Sequence, residues 1–309
     1  LVGSEMCIRD RYYIIILFAV FSCNPTGSSF SPNPEPIIPA EISIGSGMFI
    51  FSKNNIDFEV FYYVPNSYNS SSKVVFALHG GGRDAEGVRN SLIQKSIDYN
   101  FIVIAPKFSS ENFSLGDGYN LGNVYVDGDN PTTGTLNNEE EWSFSVIEPL
   151  FDSVKSSLSL EEDKYNLFGF SAGAQFVHRF ILFKENARFD KVVSAAAGWY
   201  TVPNTSITFP YGFDNSILMN VNLNSLLSKD LYIQVGALDN NPNSAGLRHN
   251  EYADAQGLNR VTRAVHFFEN GQNLSQSNNY NFNWSLHIVQ GANHNFTPNA
   301  NNACDLMFN

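Results

Sequence analysis

Cysteine is scarce in this sequence. Cys7, Cys23 and Cys304 are the only three in 309 residues, so no disulfide framework is expected and the fold must rely on its hydrophobic core. Basic residues are also in short supply: 18 Lys and Arg against 30 Asp and Glu leave a formal charge of −12 at pH 7 and a sequence pI of about 4.8. That balance offers no basic face to a phosphate backbone and argues against nucleic acid as a partner, while an acidic surface fits a secreted or surface protein. The most apolar stretch, 12–21, has ten residues, whereas a helix needs about 20 to cross a bilayer. No His-Glu-x-x-His, cysteine cluster or dinucleotide glycine pattern stands in a suitable context, so neither a metal nor an organic cofactor is implied. What remains is ordinary for one large globular domain, with a hydrophobic fraction of 43%.

Residues 1–11 (LVGSEMCIRDR) resemble translated sequencing-linker read-through and carry no weight for the fold. The run 12–21 has the length of a signal-peptide core and leads into Ser22 and Cys23, so 12–22 reads as a signal peptide. The pattern resembles a bacterial lipoprotein signal, with Phe21 where Ala or Ser is more usual. That resemblance implies cleavage before Cys23, diacylation of that cysteine, and a membrane-anchored protein of the cell envelope or exterior. A plain secretory signal with an incidental cysteine is the alternative. Pro25, Pro32, Pro34, Pro36 and Pro39 crowd the stretch 23–40, which reads as an extended tether. The folded domain is expected over 41–309.

Within it, the alternating runs Ile42 to Phe51 and Asp57 to Val64, separated by Ser52-Lys53-Asn54-Asn55, predict an antiparallel hairpin. Lys73 to Leu78, Phe101 to Ala105, Tyr165 to Phe168, Lys191 to Gly198, Leu231 to Val235 and Trp284 to Gln290 read as buried strands. Helical patterns alternate with them: one helix capped by Asp84 and carrying Val88, Leu92, Ile93 and Ile97; one opening at Glu139, with Pro149 kinking it or marking its true start; one with Leu258, Val261, Val265 and Phe268, closed by Gly271. Alternation of strand and helix implies an α/β fold with a mainly parallel central sheet and helices on both faces. The aperiodic stretch Lys107 to Asn138 is expected as a long loop on the rim of a pocket. Asp127-Gly128-Asp129-Asn130 has the acids of a calcium loop, but Pro131 stands where a ligand belongs, so a solvated turn is expected. Between Trp199 and Lys229, eight large apolar residues without helical period could line an acyl or aryl pocket or form a satellite core under a loop.

The centre of the chain is Gly169-Phe170-Ser171-Ala172-Gly173, between a strand pattern and a helix pattern. A serine at such an apex is held in strained backbone, and glycines two residues away let strand and helix pass without a Cβ clash. With it go His79-Gly80-Gly81-Gly82 after a central strand, Gly236-Ala237-Leu238-Asp239 after a later one, and His294 on a short loop after the last. In these motifs and their order the chain resembles the α/β-hydrolase superfamily over about 41–309. The resemblance implies a carboxylic ester hydrolase in which Ser171 attacks, His294 moves the proton, Asp239 orients the histidine, and the amides of Ala172 and Gly81, with Gly82 next in line, hold the oxyanion. The partner would be a small-molecule or polymeric ester. Asp239 has a bland alternative, a turn aspartate that satisfies its own backbone. His178, in the helix after the elbow, is expected to pack or cap. A peptidase or acyltransferase would share every motif, and a catalytically silent binding module would need none of them.

Overall fold

A computed structural model describes residues 40–309. The expected read-through, signal peptide, Cys23 and all but the last residue of the tether lie outside the described residues. Eight strands among the described residues form one sheet: β1 (Gly45–Lys53), β2 (Ile56–Val64), β3 (Val74–Leu78), β4 (Ile102–Pro106), β5 (Tyr165–Phe170), β6 (Phe189–Ala195), β7 (Asp230–Gly236) and β8 (Ser285–Val289). Their order is β1-β2-β4-β3-β5-β6-β7-β8. β1 and β2 form the antiparallel hairpin, β2 also lies antiparallel to β4, and every other pairing is parallel.

Parallel strands need crossovers, and here these are helices: α1 (Ala85–Ser91), α2 (Ile93–Tyr99), α3 (Ile147–Leu158), α4 (Ala172–Phe183), α5 (Leu223–Leu227), α6 (Glu251–Ala255) and α7 (Arg260–Asn278), while α8 (Phe296–Phe308) follows the last strand. The near-continuous apolar runs of β3, β4 and β5 are buried along their whole length because both sheet faces are covered. Strand pleat sorts their side chains: Val74, Phe76 and Leu78 enter a core with Phe151, Phe176 and Phe267 from α3, α4 and α7. Val75 and Ala77 enter a second core with Val88 of α1 and with Ala303 and Met307 of α8. At about 1.5–3 kcal/mol for each large side chain fully buried, this two-sided burial is the main source of stability.

Several elements depart from the sequence expectation. The helix foreseen after Asp84 is two helices broken at Leu92. Asp84 caps the first by accepting from the Gly87 amide, and the second is tied to β4 through a Ser96 hydroxyl that donates to the Phe101 carbonyl. Glu139 opens 3₁₀ turns, and the α-helix proper starts at Ile147, which puts Pro149 in the first turn where no amide is needed. Gly271 does not close α7. The helix runs on to an αL cap at Asn279, and Gly271 is the point where the Trp284 ring lies against it: a Cβ there would come within 2.7 Å of the indole. β6 stops at Ala195 rather than Gly198, and α8 was not foreseen.

Candidate active site

The turn between β5 and α4 is built by contact. A Cβ at Gly169 would sit 2.1 Å from the Gly173 carbonyl oxygen, and one at Gly173 would sit 2.1 Å from the Leu78 carbonyl oxygen, so neither position accepts a side chain. Between them Ser171 takes φ 56°, ψ −110°, a conformation that strains any residue with a Cβ and projects the hydroxyl away from the sheet. Its amide donates to the Ala195 carbonyl at 2.9 Å, which pins the apex to β6.

His294 and Asp239 reach the same point from the ends of neighbouring strands. Ser171 Oγ lies 3.2 Å from His294 Nε2, and His294 Nδ1 lies 2.6 Å from Asp239 Oδ2. A carboxylate only accepts, so Nδ1 carries the proton and Nε2 offers its lone pair to the serine hydroxyl. The two loops that bring these side chains in are stitched together: Ala237 donates to Val289 and Leu238 to Ala292, each at 2.9 Å. Asn299 holds the histidine loop by donating to the carbonyls on both sides of His294, at 3.4 Å to Asn293 and 2.7 Å to Asn295. Buried Gln234 in turn donates to Asn299 Oδ1 at 3.0 Å. The other oxygen of Asp239 accepts from Arg260 Nη1 at 3.1 Å, with both side chains almost wholly buried.

Gly81, Gly82 and Ala172 line the cavity in front of Ser171, and their amides make no hydrogen bond to any described residue. Ala172 is also the first residue of α4, so its N–H carries the positive end of the helix dipole. The glycine turn is anchored from behind. His79 donates from Nδ1 to the Gly80 carbonyl at 2.9 Å and accepts at Nε2 from the Phe108 amide at 3.0 Å, and its burial pushes the imidazole pKa down to about 4. Arg83 donates to the carbonyls of Phe108, Phe113 and Leu115, which fastens the same turn to the long loop after β4.

The cavity measures about 470 Å³. Gly116 and Asn120 of the 107–138 loop stand on its rim, as does Trp199 of the stretch after β6. Most other apolar residues of that stretch are core: Tyr200 stacks on Phe267, and Phe209 meets Phe183 and Tyr125. His178 is buried, donating to the Ala174 carbonyl and accepting from the Thr201 amide, away from the serine. Asp254 is engaged by His249 and Arg263, and Asp127 accepts from the amides of Asp129 and Asn130 in a local turn. Sequence reasoning missed Arg260, Arg83, Asn299 and Gln234. Only Arg83, directly after the three glycines, stood beside a motif.

No protein-family model and no curated protein matches the chain. Solved structures do. Poly(aspartic acid) hydrolase-1 from Sphingomonas sp. KT-1 is 31% identical, with 87% of this chain and 100% of that one covered and a TM-score of 0.81. LpqC, a poly(3-hydroxybutyrate) depolymerase from Bordetella parapertussis, is 27% identical over 86% of this chain and 90% of that one, with a TM-score of 0.79. An S-formylglutathione hydrolase from Agrobacterium tumefaciens shares the fold alone, at 14% identity over 88% and 96% of the two chains and a TM-score of 0.54.

Proposed function

Since this chain belongs to the α/β-hydrolase family of serine hydrolases, we propose that it cleaves a carboxylic ester through an acyl-enzyme formed on Ser171. Nε2 of His294 takes the hydroxyl proton as Oγ bonds to the ester carbonyl carbon, and Asp239 stabilises the imidazolium that results. The developing oxyanion accepts from the amides of Ala172 and Gly81, with Gly82 beside them, which hold their orientation before the reaction and lower the barrier most. Collapse expels the alcohol, protonated by His294. Water, deprotonated by the same nitrogen, then releases the acid and restores Ser171. One observation carries this reading: an unbroken chain of contacts, 3.2 Å from serine to histidine and 2.6 Å from histidine to aspartate, opens onto a cavity lined by amides that have no partner among the described residues.

Two neighbours above 25% identity are named for polymers, a polyester in one case, so the proposed substrates include oligomeric and polymeric esters as well as small ones. The name poly(aspartic acid) hydrolase favours one second reading, cleavage of an amide by the same residues, and paired p-nitroanilide and p-nitrophenyl substrates would tell the two apart. For localisation we propose a lipid anchor at Cys23. The central test is a fluorophosphonate probe followed by peptide mapping. Label is expected on Ser171, and Ser171→Ala and His294→Ala should each abolish p-nitrophenyl ester turnover, with no further loss in the double variant because the residues act as a unit. Turnover retained in pure Ser171→Ala protein would reject the nucleophile.

A further inference from the structure

Ester pockets that take long fatty acyl chains are walled mainly by apolar side chains, whereas this cavity mixes the aromatic rings of Phe170, Trp199 and Phe296 with the polar Asn120, Gln175, Arg248 and Arg260. Among the described residues that line it there is no Leu, Ile or Met, and Val88 is the lone branched aliphatic. The wall beside Trp199 is polar and rigidly set. Gln175 lies one turn beyond Ser171 on α4, and its Oε1 accepts from Arg179 Nη1 at 3.3 Å and from Asn120 Nδ2 at 2.9 Å. A guanidinium only donates, so the atom facing Arg179 must be the oxygen, and the amide cannot be flipped. Arg179 is itself immobile: fully buried, it donates from Nε to Thr201 Oγ1 at 2.8 Å and lies 4.1 Å over the Trp199 ring. The Gln175 Nε2 group is therefore left on the side of Gly198, where it makes no hydrogen bond to any described residue. Across Trp199, Arg248 is held by Asp129 and by the Tyr211 hydroxyl through Nη1 alone, so Nε and Nη2 are also without a partner among the described residues.

Donors held in the same cavity as a nucleophile, and without a partner among the described residues, are costly to desolvate unless the substrate brings acceptors to them. We infer that the site takes esters carrying a second oxygen near the scissile carbonyl, as in esters of hydroxy or oxo acids, and that Gln175 is the residue that selects them over plain alkanoyl esters. A site that hydrogen-bonds a substrate oxygen rejects the analogue lacking it far more strongly than an apolar pocket rejects an extra hydroxyl. The inference rests on Ser171 as the nucleophile.

The test compares kcat/KM for methyl octanoate, methyl butyrate, methyl 3-hydroxybutyrate and 2-hydroxyethyl butyrate, the last two placing the second oxygen on the acyl or the alcohol side. At least one of these two is expected to exceed methyl butyrate about tenfold or more, with octanoate slowest; butyrate or octanoate turned over as well as both would overturn the inference. Gln175→Glu keeps an oxygen facing Arg179 and Asn120 and replaces the outward donor by an acceptor. It should lower the ratio of the favoured ester to methyl butyrate about tenfold, whereas a merely structural role lowers both rates together and leaves the ratio unmoved. Gln175→Met provides the same ratio if the glutamate disturbs folding. If no ester is hydrolysed and the fluorophosphonate leaves Ser171 unlabelled, the hydrolase reading fails. Saturation-transfer NMR with 3-hydroxybutyrate and butyrate then decides the subsite, a preference for the hydroxy acid supporting it and equal signals rejecting it.

Discussion

Asp239 divides its two oxygens between a base and a cation, and the cation has no other acidic partner in contact among the described residues. Burying a carboxylate without compensation is far costlier than burying a hydrogen-bonded pair, so the contact with Arg260 offsets the burial of Asp239. Removing one partner of such a pair typically costs about 3–5 kcal/mol. Arg260→Met is accordingly expected to lower the denaturant midpoint by an amount in that range and to weaken ester turnover, while Arg260→Lys recovers part of both. An unchanged midpoint in Arg260→Met would show that Asp239 is held by its backbone contacts alone. At the same scale the serine-bearing turn depends on Gly169 and Gly173 through backbone contact, which no flexible neighbour can relieve.

Elements meet their neighbours through single residues that a periodicity argument misjudges. Gly271 looks like a helix stop because glycine ends helices cheaply, yet here it lets α7 and the aromatic pair Phe282 and Trp284 pack closely. Two effects oppose each other in Gly271→Ala. Helix propensity gains about 1 kcal/mol, while forcing a methyl group into a filled core costs about 1–3 kcal/mol. The contact of 2.7 Å is with a ring that is only 4% exposed and has little room to move, so packing should win and the melting temperature should fall. A rise would mean that the Trp284 ring shifts freely. The break at Leu92 is tertiary in the same way: the apolar spacing suits one helix, but the second helix is tied to Phe101, just before β4, through Ser96.

For the molecule as a whole, buried histidines couple stability to pH. The His79 pKa is lowered from its usual 6.5 to about 4 by burial, and burial lowers that of His178 as well. Below pH 6.5 the unfolded chain takes up protons that the folded chain refuses, so this contribution is intact above about 6.5 and is lost progressively down to about 4. For His79 alone the loss is on the order of 3 kcal/mol. Urea midpoints should therefore fall between pH 7 and pH 4.5, and His79→Asn should be less stable at pH 7 but flatter across that range. Equal slopes would remove His79 from the acid response. The proposed anchor acts at the same scale: two acyl chains, at about 0.8 kcal/mol per buried methylene, hold a protein on a membrane where one is marginal. Expressed in a bacterial host with a native start restored in place of 1–11, the chain should incorporate radiolabelled palmitate and pellet with membranes, and Cys23→Ser should do neither. Equal solubility of both forms, without label, would leave a secreted protein.

By itself the sequence determined the strands, the parallel sheet and the places where chemistry could occur, because those depend on neighbours along the chain. Continuous apolar runs demand two covered faces, and Gly-x-Ser-x-Gly between a strand and a helix admits few backbone paths. Ser171, Asp239 and His294 each stood at a strand end and so were legible without contacts. Arg260, Asn299 and the wall of Gln175, Asn120 and Arg179 carry no local pattern. Asn120 lies 55 residues from the glutamine it orients, and Asp239 lies 21 residues from the arginine it binds. Only the tertiary structure decided those contacts. They exist because α7 starts against the end of β7, because parallel packing sets β7 beside β8, and because the long loop after β4 folds back over α4.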